Sequence, residues 1–270
     1  MTVSELPATE TPAKDSERDY FVRFKTSQRI EHIVLMVTFI LLAVTGLAQK
    51  FYTAGWAEWL ILHMGGIAVT RLIHRIFAGV FTLSVLYHFA YLFRAVFITH
   101  SKLTMMPTVH DLRDVVNELR YSFGLADRPP RFGRFDYRQK FEYWGIIFGG
   151  LIIIISGAIL MFPTAVTLVL PGQVVPAAKE FHGNEATLAV IVIVIWHLYD
   201  VMFRPGIFPA DTTIFTGKIP RKRMAEEHAL EYAELTGATP DDERPSSPPE
   251  APAPGSAGQI TAGKNVQTAE

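Results

Sequence analysis

Four long apolar stretches constrain this chain more than any other feature of its sequence. They cover residues 30–47, 73–96, 144–162 and 186–203, and each is close to the roughly 20 residues that a helix needs to cross a bilayer. Inside a bilayer every backbone polar group must be bonded within its own segment, so each stretch is expected to be helical. The sequence therefore predicts an all-α integral membrane protein, folded as a four-transmembrane-helix bundle.

The lysine and arginine residues indicate how this bundle is oriented. They crowd the N-terminal tail, the connection from Arg94 to Lys140 and the chain after Arg204, whereas Lys50 and Lys179 stand nearly alone in the two short connections. Cytoplasmic loops of membrane proteins carry an excess of Lys and Arg. Both termini and the central connection are therefore predicted to be cytoplasmic. The net charge of −1 gives no indication of nucleic-acid binding.

Composition outside the apolar stretches sets the predicted domain boundaries. Residues 1–25 and the proline-rich residues 237–270 are too polar to form a core and are predicted to be disordered tails. Residues 26–205 form the predicted membrane domain, and residues 206–236 form a cytoplasmic extension.

The connections between the spans have their own predicted structure. A short surface helix is expected between Phe51 and Thr70, an amphipathic helix from Val109 to Tyr121, and a short helix from Met224 to Leu235. The connection from Pro163 to Phe181 contains three prolines and is predicted to be irregular.

Two of the apolar stretches carry histidines at nearly the same separation. His74 and His88 are 14 residues apart, and His182 and His197 are 15 apart. On a helix these steps correspond to roughly 21 to 23 Å and keep each pair near one face. The predicted orientation makes His74 level with His182 and His88 level with His197. Two such levels are what a pair of bis-histidine haems requires, because axial ligands approach the ring from opposite sides.

His32, near the start of the first stretch, is a further candidate ligand. The first span runs in the opposite direction, so His32, His88 and His197 all lie near the cytoplasmic face and compete for two positions on the inner haem. Taken singly, each histidine is also explained as a hydrogen-bonded core residue or as part of a proton path. Arginines near these levels are candidate partners of haem propionates, although an arginine at a helix end also snorkels: Arg29, Arg71 and Arg75.

Short motifs around these residues resemble those of a known family, the four-helix dihaem cytochrome b subunits of membrane formate dehydrogenases and nickel–iron hydrogenases, also called the bacterial cytochrome b561 group. The resemblance covers residues 22–205 and rests on one motif or pair of motifs for each span: Arg29-Ile-Glu-His32 with Thr45-Gly46-Leu47, Arg71-Leu-Ile-His74, Gln139-Lys140 through Trp144 to Ser156-Gly157, and Phe181-His182 with Trp196-His197-Leu-Tyr.

The resemblance implies two b-type haems, one held by His74 and His182 and the other by His32 and His197. The chain departs from the formate dehydrogenase pattern in having His88 and in a spacing of 15 rather than 14 residues in the fourth span. A pairing of His197 with His88 would instead be similar to the cytochrome b of quinol–cytochrome c complexes.

The predicted function is electron transfer between a quinone pool and a partner oxidoreductase or cytochrome, in a bacterial cytoplasmic (inner) membrane. The chain has no cysteine, so any iron–sulfur cluster or c-type haem must belong to a partner subunit. Two alternatives are a histidine-relay proton or metal transporter, which the lack of inverted halves disfavours, and a purely structural membrane anchor, which the level histidine pairs disfavour.

Overall fold

The computed structural model describes residues 19–101 and 103–237. In chain order its elements are β1 (Tyr20–Val22), α1 (Thr26–Lys50), α2 (Gly55–His63), α3 (Ile67–Phe97), α4 (Val109–Ser122), α5 (Tyr137–Met161), α6 (Pro163–Thr167), α7 (Val174–Val192) with π-helical stretches at Ile193–His197 and Tyr199–Phe203, α8 (Thr213–Thr216), β2 (Lys218–Pro220), α9 (Arg221–Glu227) and α10 (Ala229–Thr236).

Four of these helices are long and apolar enough to cross a membrane: α1, α3, α5, and α7 with its π-helical continuation. This confirms the predicted all-α, four-span architecture. The helices extend beyond the apolar stretches because their first turns accept polar residues. In α1, for example, the Gln28 side chain accepts a hydrogen bond from the backbone N–H of Lys25 at 2.9 Å, which stabilises the helix start.

The bundle consists of two helix pairs. Helix α1 packs mainly against α3, and α5 packs mainly against α7. Helices α1 and α7 also contact each other, whereas α3 and α5 approach less closely. Each pair is joined at one end of the bundle by a short helix, α2 in the first half and α6 in the second.

The two halves are copies of one pattern. Helices α1 and α5 are each 25 residues long, and from Thr26 and Tyr137 onward their equivalent residues differ by 111 in number. The motif Phe-x-Arg-Phe-x-x-x-Gln-Arg/Lys-x-Glu begins at Phe21 in the first half and at Phe132 in the second, and a Thr-Gly or Ser-Gly pair follows near the end of each helix. Because both helices start at the same end of the bundle, this is a parallel repeat.

A small cap, formed by β1, β2 and the short helices α8, α9 and α10, covers the end of the bundle at which α1 and α5 begin. This end is called the capped end. Strands β1 and β2 pair antiparallel, with Phe21 opposite Ile219, and Ile219, Met224 and Tyr232 form the buried core of the cap. The opposite end, near α2 and α6, is called the open end.

Glu231 of the cap lies between equivalent arginines of the two halves. Arg23 and Arg134 each donate to one of its carboxylate oxygens at 2.6 Å, and each also donates to the backbone carbonyl of the other. Only 3% of the Arg23 side chain is exposed, and burial lowers the pKa of Arg23 to about 10. This buried cluster fixes the starts of α1 and α5 relative to each other.

Several sequence predictions need correction. The predicted N-terminal tail reached residue 25, but Tyr20–Val22 forms β1 because the chain pairs with β2. The connection from Pro163 to Phe181 is largely helical rather than irregular, because Pro163 and Pro176 lie in first turns, where the missing N–H is tolerated. The short helix predicted from Met224 is two helices that meet at His228. Residues 1–18 and 238–270 of the predicted tails lie outside the described residues.

Candidate functional site

His74 of α3 and His182 of α7 face each other near the open end of the bundle. Their ring centres are 6.2 Å apart and the rings are inclined at 76°. Both residues lie in the first half of their helices, so the level match predicted from the sequence agrees with the positions in the fold. We call these two residues the open-end pair.

The open-end histidines are held by equivalent hydroxyl groups of the two halves. His74 Nδ1 lies 2.8 Å from Thr45 Oγ1 of α1, and His182 Nδ1 lies 3.0 Å from Ser156 Oγ of α5. Each hydroxyl donates its hydrogen to the carbonyl four residues earlier at 2.6 Å, so it can only accept from the imidazole. His182 Nδ1 also lies 3.1 Å from the Ile153 carbonyl. Both imidazoles therefore carry hydrogen on Nδ1 and keep the Nε2 lone pair free.

The glycine after each hydroxyl residue leaves the space that the imidazole ring occupies. A Cβ atom on Gly46 would lie 3.1 Å from His74 Cε1, and a Cβ atom on Gly157 would lie 3.1 Å from His182 Cε1. Any larger side chain would displace the rings. Each of these two-residue motifs, Thr45-Gly46 and Ser156-Gly157, thus positions one open-end histidine in two ways. The hydroxyl accepts a hydrogen bond from the imidazole, and the glycine leaves space for the ring.

His32 of α1 and His197 in the π-helical stretch after α7 face each other near the capped end. Their ring centres are also 6.2 Å apart, and the rings are inclined at 39°. His197 Nδ1 lies 3.0 Å from Glu142 Oε2, whereas His32 Nδ1 is buried without a hydrogen-bond partner among the described residues. We call these two residues the capped-end pair.

His88 is at the same level but is not part of either facing pair. Its Nδ1 lies 3.0 Å from Glu31 Oε2 and its Nε2 lies 2.9 Å from the Tyr143 hydroxyl. Both ring nitrogens are thus engaged in hydrogen bonds that join α1, α3 and α5. Of the three histidines that compete for the inner position, the structure brings His32 and His197 together.

The three arginines singled out in the sequence have different surroundings. Arg29 donates to the Phe215 carbonyl of the cap, and its Nε is buried without a hydrogen-bond partner among the described residues. Arg71 and Arg75 are exposed at the open end. Arg71 also lines a cavity of about 370 Å³ with Gln49 and Glu58.

Three residues that position the histidines were not among the predicted site residues: Glu142, Thr45 and Ser156. The signal that identifies them is the repeat, which makes Glu31 equivalent to Glu142 and Thr45 equivalent to Ser156. In each half, the glutamate and the hydroxyl residue both contact a histidine of the other helices.

The spacing of the facing rings fits a metal ion between them. A first-row metal binds an imidazole nitrogen at about 2 Å, and the ring centre lies roughly 1 Å beyond that nitrogen, so two imidazoles on opposite sides of one metal have centres roughly 6 Å apart. Both facing pairs have this separation. Among the described residues no three His, Cys, Asp or Glu side chains gather as a metal ligand set, so each pair would supply only two ligands.

The fold and site therefore define a class, namely four-helix membrane proteins with two levels of facing histidines. No protein-family model matches the sequence. The chain is similar to the cytochrome b556(fdo) subunit of Escherichia coli K12 formate dehydrogenase, with 26% identity over 82% of this chain and 96% of that subunit. It is also similar to the cytochrome b556(Fdn) subunits of the nitrate-inducible formate dehydrogenases of Escherichia coli K12 and Shigella flexneri, with 22% identity over 83% of this chain and 95% of each subunit. These relatives confirm the predicted resemblance to the cytochrome b subunits of formate dehydrogenases.

Proposed function

We propose that this protein is the membrane-embedded cytochrome b subunit of a redox complex and that it carries two b-type haems. The open-end pair, His74 and His182, would hold one haem, and the capped-end pair, His32 and His197, would hold the other. The observation that carries this proposal is the equal ring separation of 6.2 Å in both pairs, because axial ligation needs two imidazoles on opposite sides of one flat ring.

The protein's own contribution is to orient the four imidazoles and to set their basicity. Haem supplies one-electron redox chemistry when bound. Thr45 and Ser156 accept the Nδ1 hydrogen of the open-end ligands, and Glu142 accepts that of His197. Such acceptors fix the tautomer and raise the basicity of the coordinating nitrogen, and a carboxylate does so more strongly than a hydroxyl.

His88 is the weaker candidate for the capped-end ligand because its two nitrogens already bind Glu31 and Tyr143. To coordinate a metal it would have to give up the bond to Tyr143, and its glutamate and tyrosine partners would then be left partly unbonded in an apolar bundle. His32 has no such competing bond among the described residues. We therefore assign the capped-end ligands to His32 and His197.

The two levels would form an electron path through most of the membrane. A step of 14 residues along α3 corresponds to roughly 21 Å of rise, which spans most of a hydrocarbon core of about 30 Å. We propose that a quinone exchanges electrons near the capped-end haem and that a partner oxidoreductase with iron–sulfur clusters or c-type haems docks at the open end. Arg71 and Arg75 would pair with haem propionates there. Arg29 is already bonded to the cap and is a weaker candidate for this role at the capped end.

We propose an orientation of the bundle in which both termini and the cap lie in the bacterial cytoplasm. The clustering of Lys and Arg in the central connection and the tails supports this orientation. The relatives are named as subunits of formate dehydrogenase, which supports a complex in which another subunit performs the substrate chemistry.

Haem content of the full-length protein, purified in detergent after expression with added haem, tests the proposal. A pyridine haemochrome assay should give two b haems per chain in the wild type. One haem should be lost in His74→Ala or His182→Ala, and the other in His32→Ala or His197→Ala. His88→Ala is the matched control, a histidine of the same bundle, and should keep both haems. Wild-type protein without haem would overturn the proposal in favour of the transporter or anchor alternatives, and loss of a haem only in His88→Ala would move the capped-end ligand to His88.

A further inference from the structure

His88, Glu31 and Tyr143 form a half-buried polar group that the proposed electron path does not use. Glutamate, histidine and tyrosine side chains from three different helices meet between apolar segments. Ionisable groups inside a membrane are costly and usually have a specific role. The internal repeat shows what this group corresponds to.

Under the repeat, this group is the counterpart of the capped-end pair and its glutamate, Glu142. Glu31 of α1 corresponds to Glu142 of α5, since both are the glutamate of the repeated motif. His88 follows His74 by 14 residues, as His197 follows His182 by 15 with a π-helical stretch between them. The bond from Glu31 to His88 Nδ1 is 3.0 Å long, and so is the bond from Glu142 to His197 Nδ1.

Tyr143 stands where the other half has His32. Both residues directly follow the repeated glutamate. The ring centres of His88 and Tyr143 are 5.8 Å apart, close to the 6.2 Å between His32 and His197. The two sites therefore have the same composition and nearly the same ring spacing, except that one second ligand is a phenol.

This single exchange closes the site. The Tyr143 hydroxyl lies 2.9 Å from His88 Nε2, the nitrogen that corresponds to the coordinating one in the other half. Every ring nitrogen of His88 is thus satisfied by the protein alone. At the equivalent place His32 Nδ1 and Glu142 Oε1 are buried without hydrogen-bond partners among the described residues.

We propose that Glu31, His88 and Tyr143 are the counterpart, under the internal repeat, of Glu142, His197 and His32, and that this group does not fit a b-type haem because the Tyr143 hydroxyl occupies His88 Nε2. The presence of tyrosine in place of histidine is what separates it from the capped-end pair. The proposal rests on the proposed role of His32 and His197 as haem ligands.

The substitution Tyr143→His tests this proposal in the full-length protein. Haem per chain should rise by one relative to the wild type, with a bis-histidine low-spin signal in electron paramagnetic resonance, because His88 and the new imidazole would face each other at the ligand spacing. Tyr143→Phe is the matched control and should bind no extra haem. The double variant His88→Ala/Tyr143→His should also return to the wild-type haem content.

The readout is the difference between variant and wild type, so it separates this proposal from the proposed function. Wild-type protein without haem would overturn the proposed function and, with it, the inference that rests on it. A haem-containing wild type together with a folded Tyr143→His protein of the same haem content would overturn the inference and leave the proposed function standing. The reciprocal variant His32→Tyr covers the case in which Tyr143→His fails to fold. It should lose one haem and yet have a higher Tm than His32→Ala, because the new phenol can bond His197 as Tyr143 bonds His88. Equal Tm values for the two variants would contradict the proposed equivalence.

Discussion

The two halves of the bundle agree at the open end and differ at the capped end. At the open end, Thr45-Gly46 and Ser156-Gly157 hold His74 and His182 in the same way, with almost equal distances. At the capped end, one half supplies His32 and the other supplies Tyr143 at the equivalent position. One backbone pattern thus forms a symmetric histidine pair at one level and two unlike pairs, His32 with His197 and His88 with Tyr143, at the other.

The repeat therefore determines which positions of the helices face each other, while the residue type at each position determines which ligand the facing side chains can bind. The open-end histidines lie where the two halves face each other, so one pattern used twice completes one site. At the capped end the repeat forms two groups, and each combines residues of both halves: His32 faces His197, and Tyr143 faces His88. The side chain at one position, His32 or Tyr143, is the difference between them.

The largest effect on haem binding is expected from filling the glycine clearance at the open end. Gly46→Leu and Gly157→Leu should each weaken haem binding there by about 10- to 100-fold, because the side chain would push the ligand ring aside. The capped-end haem should remain. Spectral haem titration of each variant checks this, with Gly145→Leu as control, since a Cβ atom at Gly145 meets nothing within 4 Å. A loss of haem affinity in only one of the two variants would contradict the equivalence of the two halves at the open end.

An effect on stability rather than on haem binding is expected from the carboxylate that joins the halves at the capped end. Glu231→Gln removes the charge that neutralises Arg23 and Arg134, and should lower the free energy of unfolding by about 3 kcal/mol, the usual scale for breaking a buried ion pair. Thermal unfolding in detergent measures the loss. The exposed Glu234→Gln is the matched control and should change Tm little, and an equal change in both variants would contradict the role of Glu231.

Acid should loosen the capped end before the open end. Burial lowers the pKa of His228 to about 4, and its Nδ1 lies 2.9 Å from the Gly133 carbonyl. Between pH 6.5 and about 4 the unfolded state therefore binds more protons than the folded state, so stability falls as the pH falls through this window. At about 1.4 kcal/mol per pH unit, the expected loss is about 3 kcal/mol.

Limited proteolysis of the cap between pH 7 and 4, alongside the haem spectrum of the open end, would follow this loss. His228→Asn should remove the pH dependence of cap cleavage, whereas the exposed His110→Asn should leave it in place. An open-end haem that is released at the same pH as the cap opens would show that the two ends are coupled.

The smallest effect is expected from the hydroxyl groups beside the open-end ligands. Thr45→Val should raise the reduction potential of the open-end haem by up to about 40 mV, because a lost neutral hydrogen bond of about 1 kcal/mol reduces the basicity of the ligand. Ser156→Ala should have a smaller effect, since His182 keeps its bond to the Ile153 carbonyl. A potentiometric titration checks both, and a larger shift in Ser156→Ala would contradict this order.

The four spans and the level histidines could be predicted from the sequence because hydropathy and helix geometry are local properties. Runs of about 20 apolar residues need no tertiary information, and the spacings of 14 and 15 residues by themselves indicate levels. The pairing of His197 could not be predicted in this way. His32 and His88 both lie at the right level, and only the bonds of His88 to Glu31 and Tyr143 in three dimensions distinguish them.

The repeat was readable in the sequence, but hydropathy hides it. Few equivalent positions of α1 and α5 hold the same residue, and many apolar positions hold different apolar residues, such as Leu41 and Ile152, so only a few polar residues and one glycine carry the pattern. The cap could not be predicted from the sequence, because strand β1 has three residues and depends on β2, nearly 200 positions later in the chain. So short a strand has no signal of its own without its partner.

The π-helical stretch after α7 accommodates one residue more between His182 and His197 than α3 has between His74 and His88. The N–H of Leu198 bonds the carbonyl of Ile193, five residues earlier, so this turn contains one residue more than an α-helical turn. The extra residue between His182 and His197 is taken up at this point, and the ring of His197 still faces His32 at the same distance as the open-end rings. One residue more in one of two equivalent helices can therefore be accommodated by a local widening of the helix, and the facing rings keep the same separation.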